Sequence, residues 1–357
     1  MKAWVIVLAV LLFASAAALL VGPVSLEHEH AAWVVLQLRL PRLLLALSAG
    51  ASLAACGMVM QSLLRNPLAS PYTLGLGSAS ALGAALGLLI LPVLPSRHGL
   101  LWLAVVPGLL LAYRFWSYGR LASSLTLIAS LLGSYALWLQ GLIEPTGLGA
   151  LIGACTVALI LEALDRSGQV PGDGLLLAGV AMGLSCGAGV MLLHYLVDQS
   201  TSASMLRWTM GSLAVVGADK ALLMGGVLLA SLPLFLVALP GLNHLQLGEA
   251  IAASRGVDVS RFRRDLLFFT ALWTGLVVAL VGPLGFIGIL APHGARLLCG
   301  EDQRRTGPLA LLLGAALLAA CDALGRGLLG NMELPVGVVT ALLGGPCFLF
   351  LLLRRRR

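Results

Sequence analysis

The chain has 357 residues, of which 59% are hydrophobic and only 10% charged, against a usual charged share of about 25%. With a mean hydropathy of +1.00, it has too little polar side chain to cover a water-soluble globule. The net charge is +7, but the basic residues are scattered one to four at a time between apolar runs, a pattern that a membrane-orientation signal explains better than a nucleic-acid surface.

Runs of near twenty residues without charge recur along the chain, and ~20 apolar residues are what a helix needs to cross ~30 Å of hydrocarbon. The alternating ten-residue strands of outer-membrane barrels do not occur. The first run, "MKAWVIVLAVLLFASAAALLVG", has the parts of a secretory signal: Lys2, an apolar core and Ala14-Ser15-Ala16. Its apolar character continues to Val21, so a retained first span is the expectation and a cleaved signal the alternative. In "EHEH", Glu27 to His30, a solvated polar patch is expected, with a metal site as the alternative. Next comes "LQLRLPRLLLALSAG", residues 36 to 50, with Arg39 and Arg42 around Pro41 at the mouth of a long apolar run. Proline is tolerated in a first helical turn, so a span is expected to open there.

Read this way, twelve spans lie near 3–22, 41–64, 72–94, 99–113, 121–143, 147–164, 174–197, 219–240, 265–281, 284–299, 307–326 and 335–353. A cytoplasmic N-terminus with alternating sides puts sixteen Lys and Arg inside and six outside, the six being Arg39, Arg42, Arg97, Arg207, Lys220 and Arg326. That obeys the positive-inside rule. In 99–143, Arg114 and Arg120 stand in "AYRFWSYGR", and burying each at mid-bilayer would cost ~2.5 to 3.5 kcal/mol. A hairpin whose tip reaches the cytoplasm avoids that cost; a surface-lying segment is the alternative. Small residues four apart, Gly50 with Ala54, Gly83 with Gly87 and Gly183 with Gly187, are spaced for close helix packing in lipid.

The chemistry of catalysis is missing. "GSLAVVGADK" lacks the spacing of a phosphate loop, and neither G-x-S-x-G nor H-E-x-x-H appears. The six cysteines lie in apolar runs with no C-x-x-C pair, so no disulfide framework and no metal site is expected. The central thirds of nearly all spans lack Asp, Glu and His, the coupling groups that ion-driven carriers hold in the membrane. Glu162, His293 and Asp322 lie toward span ends. The driving energy is therefore expected from a partner, with an ion-coupled secondary carrier as the alternative and a membrane-embedded enzyme more remote still. The partner's contact is expected at the longest cytoplasmic polar stretch, "LNHLQLGEAIAASRGVDVSRFRRD", residues 242 to 265. There an Ala-rich helix, Gln246 to Arg255, stops at Gly256 and a second short one begins at Asp258.

The blocks "RLPRLLLALSAGASLAACGMVMQSLLRNPLASPYTLG", "GDGLLLAGVAMG", "WTMGSL", "LGEAIAASRGVDVSR", "LVGPLGFIGILAPHGARLL" and "ELPVGVVTALLGGP" together resemble the membrane-spanning permease of type II ABC importers. That family takes up iron-siderophores, haem and cobalamin. The resemblance covers roughly 36–95 and 147–354.

It implies an all-α polytopic membrane protein with the type II ABC importer permease fold. Ten family spans form inverted repeats, with 99–143 as an inserted hairpin, in one transmembrane domain over 1–357. It implies a homodimer in the lipid bilayer of the bacterial cytoplasmic membrane, both termini cytoplasmic. Two ABC ATPase subunits carry the ATP and Mg, and an extracytoplasmic binding protein delivers cargo; the chain itself holds no cofactor and no catalytic residue. Arg39, Arg42 and Arg326 are then the outward-facing seats for acidic residues of the binding protein, against the plainer reading that they anchor helix ends. Leu247, Gly248, Glu249, Ala250, Ala253, Arg255, Gly256 and Val257 belong to coupling helices in the ATPase groove. Asn66, Pro67 and Leu68, with Ser167, Gly168 and Asp173, form the cytoplasmic gates. Three residues depart from the family pattern: Ser70 where an acid is frequent, Gly294 after Pro-His, and Cys347 where an aromatic is common.

Overall fold

The computed structural model describes residues 2–22, 31–90, 145–167, 172–328 and 332–354. The expected hairpin at 99–143 and the Glu27–His30 patch lie outside them. The described residues form twelve helices: α1 (Lys2–Leu20), α2 (Ala31–Leu63), α3 (Leu76–Ile90), α4 (Pro145–Ser167), α5 (Gly172–Leu196) and α6 (Gln199–Thr209). These are followed by α7 (Asp219–Gln246), α8 (Glu249–Ser254), α9 (Val259–Val281), α10 (Ile287–Cys299), α11 (Gln303–Gly327) and α12 (Val336–Arg354). Seven of them, α1, α2, α4, α5, α7, α9 and α11, are long and apolar enough to cross a membrane, and α3, α10 and α12 are shorter apolar helices. Each of the ten spans expected outside 99–143 is thus a helix.

The bundle is built around α2. In the spanning windows, 83% of α2 and 78% of α9 are buried, against 17% of α1 and of α5, which places α2 and α9 in the core and α1 and α5 at its edge. α2 packs on α7, α9, α10 and α11; α4 packs on α3 and α9; α1 lies on α11. Because lipid supplies no hydrophobic drive between helices, small residues that let backbones approach carry the packing. A Cβ on Gly57 of α2 would lie 1.8 Å from the Gly288 carbonyl oxygen of α10. The spaced pairs Gly50/Ala54 and Gly83/Gly87 receive Gly314 and Gly149 in the same way, whereas Gly187 of α5 faces open space. Phe235, Phe269 and Trp273 interleave between α7 and α9, with ring centroids 6.3 and 5.3 Å from Trp273.

Four boundaries differ from the sequence reading. The helix expected to open at Pro41 begins ten residues earlier, at Ala31, with a π-turn at Val35–Arg39 in which the Leu40 N–H donates to the Val35 carbonyl. Pro41 has no N–H for the Gln37 carbonyl, and that oxygen accepts instead from the Gly217 N–H at 3.0 Å. The second short helix after Gly256 is not separate: Asp258 accepts from the Arg261 N–H and caps one continuous helix to Val281. α10 starts at Ile287 rather than 284, because Gly282 (φ +74°) and Phe286 (φ +66°) are left-handed and Pro283 cannot donate. Finally, α6 is an outer helix absent from the sequence reading, capped by Asp198 on the N–H groups of Ser200 and Thr201. Those bonds, with the Ser200 and Thr201 hydroxyls, hold the Asp198 carboxyl well below its usual range.

Candidate functional site

The residues singled out by sequence collect at the two ends of α2. Arg42 and Arg65 are 23 positions apart, about 35 Å along a helix. That matches the two faces of a bilayer.

At the Arg42 end, α1 stops at Leu20 with no basic residue in its own last turn, leaving its final carbonyls without helical partners. Two other helices supply the donors. Arg39 donates to the Leu19 and Leu20 oxygens at 2.7 and 2.9 Å, and Arg326 donates to those of Val21 and Ala18, both at 2.7 Å. Both arginines are only 4% exposed. Arg326 also sits 3.1 Å from Asp322, one turn earlier on α11, and Arg42 binds the same carboxylate at 2.9 Å. The remaining arm of Arg42 reaches Glu333 at 2.7 Å. Arg39, Arg42, Arg326 and Glu333 wall a cavity of about 350 Å³ together with Gly22, Leu38 and Val215. The three arginines are therefore brought together, with Arg39 and Arg326 holding the end of α1 and only Arg42 partly open. The sequence reading missed the acids that order them. Asp322 and Arg326 at i, i+4 on one helix was a legible signal; Glu333 carried none.

At the Arg65 end, α2 runs into the Asn66–Leu68 turn that the sequence reading expects as the first gate. Arg65 takes φ +47°, the Asn66 N–H returns to the Gln61 carbonyl, and the Asn66 side chain accepts from the Leu68 N–H at 2.9 Å. This is the turn an Asn makes with its own backbone, and Pro67 fits within it. Ser70 and Thr73 close it from below: the Ser70 N–H donates to the Thr73 hydroxyl at 2.8 Å, and the Thr73 N–H to the Ser70 hydroxyl at 3.1 Å. Serine here makes the backbone bond that an acid would make. Gln61, 4% exposed, donates to the Gly288 carbonyl at 3.1 Å and accepts from Arg296, pinning this end of α2 to α10. Of the second gate, Ser167 ends α4 with its hydroxyl donating to the Leu164 oxygen, Asp173 stands in the first turn of α5, and Gly168 lies outside the described residues.

Beside that turn, the segment expected to couple to the ATPase forms a compact knob. Leu247 and Gly248 turn the chain out of α7, with Gly248 at φ +122°. α8 then buries Ala252 and exposes Ala250, Ile251, Ala253 and Ser254. Gly256 at φ +83° ends it beside the exposed Arg255, and the Val257 N–H returns to the Ala252 oxygen at 3.1 Å. The knob is rooted by Phe262 of α9, whose ring occupies the space a Cβ on Gly241 of α7 would need. Nearby, Asn243 donates to Asp302 at 2.8 Å and accepts from the Gln303 N–H at 2.7 Å, tying α7 to α11. The bond from Asn243, then that from the Arg304 N–H, hold the Asp302 carboxyl below its ordinary value. Glu249 at the start of α8 lies 3.4 Å from Arg65, so the exposed knob abuts the Asn66–Leu68 turn.

The model of the FecCD transport family matches residues 3–128 and 117–354. The chain belongs to the FecCD transport family. This FecCD chain is 37% identical over 329 residues to the hemin transport system permease protein HmuU of Yersinia pestis, covering 92% of the chain and 86% of the relative. It is 32% identical over 341 residues to the Fe(3+)-citrate import system permease protein YfmE of Bacillus subtilis, covering 96% and 88%. To the vitamin B12 import system permease protein BtuC of Vibrio vulnificus it is 33% identical over 361 residues, covering 98% and 93%. Among solved structures it is similar to a metal-chelate type ABC transporter in an inward-facing conformation, with a TM-score of 0.75, 25% identity and 98% of each chain covered. The FecCD chain is thus a multi-pass ABC importer permease with the type II fold. The ion-coupled carrier is set aside.

Proposed function

We propose that this permease passes an iron-siderophore, with haem and then cobalamin as the next candidates, from an extracytoplasmic binding protein to the cytoplasm. The cargo reading draws on the relatives, two of whose names specify Fe(3+)-citrate and hemin. Two copies of the single transmembrane unit, residues 1–357, line the path between them in the bacterial cytoplasmic membrane, both termini inside. Two ABC ATPase subunits bind ATP and Mg and do the hydrolysis; the permease needs no cofactor of its own.

Alternating access places the opening at one end of α2 while the other is shut. Outside, carboxylates of the binding protein seat on Arg39, Arg42 and Arg326, which suit paired acids and set docking register and rate more than affinity. Because Arg39 and Arg326 also hold the α1 carbonyls and Asp322, docking exchanges those contacts for the partner's. Inside, the ATPase groove receives the face from Leu247 to Val257, and its motion opens the turns at Asn66–Leu68 and at Ser167, Gly168 and Asp173.

The observation that carries this reading is the exposed knob of α8, which buries Ala252, packs Phe262 on Gly241 of α7 and sets Glu249 3.4 Å from Arg65, the residue before the Asn66–Leu68 turn at the end of the core helix α2. Co-expression with a cognate ATPase and binding protein, followed by uptake of labelled Fe(III)-citrate, haem and cobalamin, tests it. ATP-dependent uptake of one of them is expected, and a permease that retains no ATPase through purification overturns it.

A further inference from the structure

We propose that Arg263, which none of the features above uses, is the positioning residue that links the coupling knob, through Glu249 and Asp165, to the end of α4 at the second cytoplasmic gate, while the same Glu249 reaches the first. The inference rests on the permease reading just given.

Arg263 sits one turn into α9, a core helix, and its side chain is 15% exposed. It hydrogen-bonds Glu249, the first residue of α8, on one side. On the other it lies 3.9 Å from Asp165, whose side chain is 16% exposed and which stands two residues before Ser167 at the end of α4. Glu249 in turn is 3.4 Å from Arg65, the residue before the Asn66–Leu68 turn. One guanidinium thus faces the carboxylates of two separate elements, and the shared Glu249 extends the chain to the third.

Among the neighbouring charges, Glu162 pairs with Arg166 at 2.6 Å and Asp265 lies 3.8 Å from Arg261. An isolated exposed ion pair contributes little. Arg263 and Asp165 differ in being largely covered, and they join elements that must move together if the knob is to work the gates. The planar fork of arginine can hold two carboxylates at fixed angles, which the single ammonium of lysine cannot. α2, clamped to α10 through Gln61 and the Gly57–Gly288 approach, provides the fixed frame against which the knob shifts. A displacement of α8 therefore pulls on Arg65 through Glu249 and on the end of α4 through Arg263. Spatial continuity alone does not establish coupling, so the test is energetic.

The assembled transporter with its ATPase and binding protein is placed in proteoliposomes, and uptake and ATP hydrolysis are measured together for wild type, Arg263→Gln, Arg263→Lys, Asp165→Asn and the Arg263→Gln/Asp165→Asn double variant. Arg263→Gln is expected to lower solute moved per ATP by about fivefold or more with the ATPase still bound and hydrolysing. Arg263→Lys is expected to recover part of it, and the double variant to be no worse than the poorer single one. An unchanged ratio in Arg263→Gln, additive losses in the double variant, or loss of uptake in step with loss of the ATPase overturns the linkage while leaving the permease reading standing. A wild-type chain that recruits no ATPase overturns both.

Discussion

Asp322 is the hinge of the outer charge cluster, and its replacement by asparagine is the sharpest test of that geometry. The carboxylate side chain is 1% exposed and faces Arg42 at 2.9 Å and Arg326 at 3.1 Å. Asparagine keeps the shape but removes the charge and turns an N–H₂ toward one guanidinium. Removing one partner of a buried ion pair costs ~3 to 5 kcal/mol because the other charge is left uncompensated. Arg42 retains Glu333, and Arg326 retains the carbonyls of Ala18 and Val21, so the lower end, about 3 kcal/mol or a hundredfold in the folding equilibrium, is expected. Reversible denaturant unfolding in mixed micelles, followed by tryptophan fluorescence, reads it. The Asp322→Leu/Arg326→Met double variant removes both charges and should recover part of the loss. A cost under about 1 kcal/mol for Asp322→Asn, or a double variant worse than the sum of its single changes, would refute the buried-pair account.

Gly57→Val forces side-chain carbon into a gap of 1.8 Å to the Gly288 oxygen, so helices α2 and α10 must part; loss of monodisperse protein on size exclusion is expected, and normal yield would contradict the close approach. Phe262→Ala removes the ring that roots the knob and should destabilise by about 3 kcal/mol or more, with ATPase retention on co-purification falling further than overall stability does. The Asp302 carboxyl is held below its ordinary value by Asn243 and the Arg304 N–H. Its contribution is present above the unfolded value of about 3.9 and is lost as pH falls through the lower folded value. The melting temperature of Asp302→Asn should therefore lie below that of wild type at neutral pH, with the gap closing only in acid below about pH 4; a gap independent of pH would contradict the assignment.

Much of the fold was legible because membrane spans are defined by the absence of charge, and all ten expected outside 99–143 are helices. The misplaced boundaries share a cause: contacts remote in sequence. Nothing local announces that the Gly217 N–H will satisfy the carbonyl Pro41 leaves free, or that Phe286 will adopt a left-handed turn with its ring against Gly344. The outer helix α6 was readable from its Asp198-x-Ser-Thr cap but is too polar to register as a span. In the site, Arg39, Arg42 and Arg326 drew notice as charges beside apolar runs. That α1 would take two of them depends on where a helix twenty residues before Arg39, and some three hundred before Arg326, comes to rest. Arg263 looked like one of several basic residues after the knob, and only the packing of α4 beside α9 sets Asp165 against it.

The most direct measurement of the central claim is transport by purified protein in sealed vesicles, with and without the ABC ATPase and the binding protein. The account predicts that cargo accumulates against its gradient only in the complete assembly and only while ATP is supplied. Accumulation by the lone chain, driven by an imposed proton or sodium gradient and indifferent to ATP, would contradict it.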